Sequence, residues 1–354
     1  MRHVVLLCTL LLAVGTAWGA TATSTVPSVP TYEMRDLGTF GGTASLAQGI
    51  DDRGRIAIMR GLGSTQARQT ASARSLVWQD GRVRWLGTLA SGATVASSIN
   101  ARGQVAGVSV VRGVPHLFLW RDGTMRDLGA AGGNVQGIVY HAVALNDQGE
   151  VASTRIPAGG APRAVLWRNG ELRELGTLST ASAASHAYGI NGRSQVVGLS
   201  VPVGEGVGRA FLWQKGTMRD ISTPTKGNRL FWAFAINERG QVAAAGGRLV
   251  GTTLDERTIR AYRWQSGRIT RLGTLPGFET STPTAINDRG QIVGFAIAGS
   301  GLRRAVLWEG GRTIALGGNA GASTFAQAVN ERGEIVGGAV IEGSPHAVLW
   351  TRRD

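Results

Sequence analysis

The chain has 354 residues, 43% of them apolar, which is enough to bury a large core, and its formal net charge is +14. It contains one cysteine, which excludes an internal disulfide, so stability has to come from packing. Of the 37 basic residues only Lys215 and Lys226 are lysine, and the arginines are dispersed along the chain instead of clustered. That pattern fits an arginine-biased surface, with a polyanion-binding surface as the other reading of the charge.

Residues 1–20 carry Arg2 and His3, an apolar run from Val4 to Gly15, and small residues around Ala17 to Ala20. This is the pattern of a secretory signal peptide, with cleavage expected after Gly19, Ala20 or Ala22. The run is too short for a comfortable membrane span, and no later stretch of that length is free of arginine or turn residues. Cys8 sits early in the run, not beside the small residues at its end, so a lipid anchor is not expected. The leader places the protein in the periplasm or outside the cell, which argues against nucleic acid as a partner. Residues 21–31 form a Ser/Thr/Pro linker with nothing to bury.

From Tyr32 onward the chain is repetitive. An apolar phrase ending in Trp recurs at Trp78, Trp120, Trp167, Trp213, Trp264, Trp308 and Trp350, spaced 42 to 51 residues apart. Each unit carries four short strand signals. The first ends in a phrase such as Ile99-Asn100 or Ile236-Asn237 and runs into a tight turn, as in Asn237-Glu-Arg-Gly240. There Asn or Asp can cap the turn with its side chain while Gly supplies a positive φ. The second strand resembles Gln195-Val-Val-Gly198, the third ends in Trp, and the fourth resembles Met125-Arg-Asp-Leu-Gly129. Period-2 patterning, β-branched and aromatic residues and frequent glycine turns argue for an all-β fold. Four antiparallel strands per unit of this length, repeated seven times, predict a seven-bladed β-propeller over residues 32–354.

The ends predict how the ring closes. The last unit stops after its Trp strand, whereas residues 32–38 read as a fourth strand with no Trp strand before it. Residues 32–38 are therefore expected to complete the blade made by residues 322–351, leaving no blade short of an edge. That makes the fourth strand outermost and the Ile-Asn strand innermost. The innermost strands carry small residues two and four positions before the turn, such as Gly49 and Ala47 or Ala235 and Ala233, as a crowded axis demands. The Asn-x-Arg-Gly and Trp-x-x-Gly turns then share one rim, and the variable connections occupy the opposite face.

These phrases resemble the bacterial extracellular HAF-repeat family. The His-Ala-Phe slot reads Arg209-Ala-Phe211, His116-Leu-Phe118 and His346-Ala-Val348, alongside the Ile-Asn-x-Arg-Gly-Gln-Val-Val-Gly and Leu-Gly-Thr-Leu phrases. The likeness covers essentially the whole chain after the linker. It implies a secreted or periplasmic repeat protein and names no reaction. The fifth unit departs from the pattern, with Ser222 to Lys226 in place of Gly-Thr-Leu and a long connection from Gly247 to Arg260.

A catalytic residue should occur once or twice, whereas one found in every unit is structural. His116 and His346 occupy a slot filled elsewhere by arginine, which points to a shared packing or hydrogen-bonding role. The turn arginines Arg53, Arg102, Arg193, Arg239, Arg289 and Arg332 would form a crown on one rim, suited to carboxylate, sulfate or phosphate, or else are surface residues of a tolerant turn. His141 and His186, each five residues before a turn Asn, break the pattern. With Tyr140, Tyr188, Trp232 and Phe325 they form a candidate ligand pocket at the channel mouth, against the alternative of structural histidines. Two histidines without a carboxylate are too few for a metal site, and no cofactor motif is present. Asp255 and Glu256 could supply acidity but read as a solvated loop. The sequence thus predicts a secreted, monomeric propeller that binds a polysaccharide or a protein partner through its variable face. The alternative is a glycan hydrolase or lyase with its site at the channel mouth, and a third reading is a structural envelope component. Catalytic residues, cofactors and a membrane span in the mature chain are not expected.

Overall fold

The computed structural model describes residues 30–61, 72–133, 142–179, 184–203, 207–222, 228–251, 253–318 and 321–353. The expected leader, most of the linker, residues 223–226 of the fifth-unit departure, Tyr140 and His141 lie outside these residues. Seven four-stranded antiparallel sheets are present, and no helix occurs among the described residues. The fold is the seven-bladed β-propeller that the repeats predict.

Ring closure follows the expected route. The strand Thr31–Gly38, one residue longer than the sequence suggests, pairs antiparallel with Ser344–Arg353, the third strand of the last blade. Its register sets Met34 opposite Trp350 and Arg35 opposite Leu349. His346 Nδ1 lies 2.9 Å from the Asp36 carboxylate, and Arg353 pairs with Glu33 at 2.9 Å, so both ends of the seam carry an ion pair or hydrogen bond. The His346 slot therefore has the bonding role read from its repetition. His116 pairs with Asp127, and Arg209 with Asp220, in the same way.

Packing between blades explains the recurrent tryptophans. Each is buried, and the outer-strand arginine of one blade stacks on the Trp of the next: Arg35 on Trp78, Arg84 on Trp120 and Arg126 on Trp167, at 4.8 to 5.2 Å. Trp308 and Trp350 also donate their indole N–H to Gly273 and Gly317 of the preceding blade. Part of the arginine excess is therefore structural. Near the axis the backbones approach closely. A Cβ on Gly189 would sit 2.9 Å from the Ala235 Cα of the next blade, which is why that position is held to small residues.

The fifth blade corrects one expectation. The stretch Gly247–Arg260 is not a loop: the strands Val242–Val250 and Thr253–Gln265 continue through it as a hairpin. Asp255 is bound there by Arg248 at 3.0 Å.

Candidate functional site: the axial channel

The seven inner strands surround a channel of about 570 Å³ that runs to the rim bearing the Asn-x-Arg-Gly turns. Its wall is built by one device used repeatedly. In the inner strands of blades 1, 2 and 4 to 7 the register shifts at the third residue before the turn. A β-bulge re-aims the side chain at the extra residue, and here it turns that residue to the axis. The bulged residues are Gln48, Ser97, Tyr188, Phe234, Thr284 and Gln327, and all line the channel together with Val143 at the matching place in blade 3.

This ring is two-sided. Tyr188 and Phe234, on adjacent blades 4 and 5, form an aromatic wall with ring centroids 5.8 Å apart. Across the axis stand Gln48 and Gln327, on adjacent blades 1 and 7, whose amides make no hydrogen bond among the described residues. Thr284 is occupied, its one hydroxyl proton lying between the Val293 and Ala326 carbonyls, 3.1 and 3.0 Å away. The arrangement offers two aromatic rings, tilted 33° to each other, opposite the two glutamine amides.

Behind the wall, a hydrogen-bonded ring holds the blades at fixed spacing. The side-chain amide N–H groups of Asn100, Asn146, Asn191, Asn237 and Asn287 each donate to the backbone carbonyl of the next turn Asn, at 2.9 to 3.0 Å. Asn330 donates to Asp51 and closes the circle at 3.0 Å. Each of these Asn side chains also donates to the Gln or Glu four residues on, and its oxygen accepts from backbone N–H groups of its own turn, as at Asn191 with Gln195 and Arg193. Asp51 has no amide N–H to give. Arg55 replaces the usual Gln or Glu there, binds Asp51 at 2.6 Å and reaches across to the Ala101 carbonyl at 3.1 Å.

The next residue of the turn brings carboxylates to the mouth. Asp52, Asp147, Glu238, Asp288 and Glu331 all line it, each accepting a hydrogen bond from the backbone N–H at the same position of the preceding blade. Burial, with Asp288 and Asp52 nearby, raises the Glu331 carboxyl above its ordinary value despite the Asp288 N–H that it accepts.

The residues singled out in the sequence are distributed differently. Tyr188 lines the channel, with His186 stacked on it at 6.3 Å. Trp232 packs edge-on against Phe231, and Phe325 lies against Gly338 beside Leu46 at the seam of blades 7 and 1. Neither lines the channel, and nor does any of the six turn arginines, which are exposed on the rim. The guanidinium groups of Arg193 and Arg332 lie over the turn glycines of the following blades, Gly240 and Gly54. Of the channel ring only Tyr188 is among the residues that the sequence points to, and none of the mouth carboxylates is. The signal for the ring was available: the third residue before the turn is the one inner-strand position, between small neighbours, that ranges over Gln, Ser, Val, Tyr, Phe and Thr.

Burial pushes the Tyr188 hydroxyl up to about 12. The unfolded chain releases that proton near pH 10, as an unperturbed tyrosine does. The stability contributed by the neutral phenol is therefore complete below about pH 10 and is lost toward pH 12, by about 2–3 kcal/mol. A difference titration of the wild type against Tyr188→Phe, read at the phenolate absorbance, should show ionisation near 12, and ionisation at the ordinary value would remove Tyr188 from a dry wall.

No family model matches the sequence, and no curated protein matches it. Solved structures share the fold. One is the β-propeller domain of the Trilobed protease from Pyrococcus furiosus, with TM-score 0.58 and 10% identity over 86% of this chain and 93% of that one. That domain is described as having an open velcro topology. An oligogalacturonate lyase from Vibrio parahaemolyticus gives TM-score 0.57 and 12% identity over 91% of this chain and 97% of that one. Pyrococcus horikoshii acylaminoacyl peptidase gives TM-score 0.58 and 10% identity over 88% of this chain, which spans about half of the peptidase, 52%. At these identities the likeness is one of fold.

Proposed function

We propose that this chain is a secreted ligand-binding propeller, that its ligand is a saccharide, and that the site is the axial channel. The observation that carries the reading is the bulged ring, in which the aromatic wall of Tyr188 and Phe234 faces the unengaged amides of Gln48 and Gln327. A sugar ring has the matching character, with an apolar C–H face and hydroxyls around its edge. The carboxylates at the mouth favour a neutral or cationic sugar over a uronate. Transport outside the cell, as the leader pattern of residues 1–20 suggests, would put such glycans within reach.

The experiment is a glycan-array screen of the purified protein, followed by calorimetry on the best hit. Tyr188→Ala and Phe234→Ala should each weaken binding about tenfold or more while leaving the fold intact by circular dichroism. Wild-type binding that neither variant changes would remove the channel as the site.

A second reading is a glycan-cleaving enzyme, and the fold likeness to a lyase supports it. Incubation of the protein with oligogalacturonate and with neutral oligosaccharides separates the two. Product formation that is lost on His186→Ala would favour the enzyme, and retention of the intact oligosaccharide favours the binding module.

A further inference from the structure

A second surface lies on the outside of the disc, on the outer strand of blade 1, Arg82–Trp85. All four of its residues are exposed. Val83 and Trp85 are 42% and 47% exposed, and Trp85 is the exposed aromatic among the described residues. In four other blades the position matching Trp85 carries a carboxylate, Asp36, Asp127, Glu174 or Asp220, which guards the edge with charge. Blade 1 has no acid on this strand and presents Arg82 and Arg84 instead.

The strand also offers its backbone in a definite register. Gln79 and Arg82 face each other across the two-residue turn Asp80-Gly81, so the polar groups of Arg82 and Arg84 turn inward to the ladder. The Leu86 N–H continues that inward series by donating to Ser75. The N–H and C=O groups of Val83 and Trp85 therefore point out of the sheet. Beside them, a cleft of about 680 Å³ between blades 1 and 2 is lined by Arg55, Arg82, Val83, Arg84 and Trp120, with Asp80 and Asp122 at its turns. Arg84 is held over Trp120 at 4.8 Å, and Arg82 has no partner among the described residues.

We propose that this edge accepts an extended, acidic segment of a partner protein as a fifth strand of blade 1. The segment's backbone would meet Val83 and Trp85, its carboxylates Arg82 and the cleft, and its alternate apolar residues the Val83 and Trp85 side chains. A polyanionic glycan satisfies the arginines but has no alternating N–H and C=O groups for the edge. A second copy of the chain would set arginine against arginine.

The test uses the whole protein and a fluorescent peptide of about eight alternating Glu and Val residues, read by anisotropy. Binding should weaken about fivefold in Val83→Pro, which removes one outward N–H without touching the ladder, and about tenfold in Arg82→Glu. Tyr188→Ala should leave it unchanged, which separates this edge from the channel. Equal binding of an alternating Glu–Pro peptide or of dextran sulfate, indifference to Val83→Pro, self-association through this edge, or no binding of the Glu–Val peptide would each overturn the proposal.

Discussion

Asn191→Ala is expected to destabilise the protein by about 3–5 kcal/mol, more than a typical surface substitution in any blade. Asn191 is buried and fully engaged, donating to the Asn237 carbonyl and to Gln195 and accepting from the N–H groups of Arg193 and Gln195. Truncation strands several of those partners in a place that water does not reach. Blade 1 supplies the internal control. Arg55→Gln alone should be severe, because it leaves the carboxylate of Asp51, whose side chain is wholly buried, without its cation. Asp51→Asn combined with Arg55→Gln rebuilds the arrangement of the other blades and should recover most of the loss. Chemical denaturation of the three variants checks this, and a double variant no better than Arg55→Gln would contradict the role assigned to the ring.

The second large effect concerns the seam. Removing residues 1–38 strips the last blade of its outer strand, uncovers Trp350, which is otherwise fully buried, and frees the whole edge of Ser344–Arg353. The lost ladder and the packing of Tyr32 and Met34 against that blade are together worth on the order of 5 kcal/mol or more. The shortened chain should melt far lower and associate through the bared edge. A synthetic peptide of residues 30–40, added in trans, should restore a good part of the melting temperature. Thermal melting with and without the peptide reads the result.

Much of the fold was legible because the same physical problem is solved seven times. Small residues such as Ala47 and Gly49, a turn Asn or Asp and a buried Trp recur in the repeat, and at three seams that Trp lies under the previous blade's arginine. The detached strand at residues 32–38 could be assigned to the last blade because a missing edge is as visible in a repeat as a present one. The site was harder to read. The residues that break the pattern are His141 and His186, and the aromatic residues Trp232 and Phe325 at the same strand position pack within or between blades. Tyr188 stands two residues after His186 on the same inner strand. The channel ring depends on a backbone bulge at Gln48, Tyr188 and their counterparts, and strict alternation gives no sign of which face a bulged residue takes. The turn arginines stand exposed on the rim where the repeat places them, one residue beyond the position that carries the mouth carboxylates. The backbone turns the acid toward the axis and leaves the arginine outside the channel, a distinction of one residue.

The axis, the channel and its opposed walls all depend on the ring being closed by its first strand. The most direct test joins Glu33 and Thr351, which face each other across the seam, by replacing both with cysteine in a Cys8→Ser chain. Oxidation should give a monomer whose peptide map contains one cross-link between the two ends of the sequence, with a higher melting temperature than the reduced form. Failure to form the bond, or its formation only between separate chains, would contradict the closed ring.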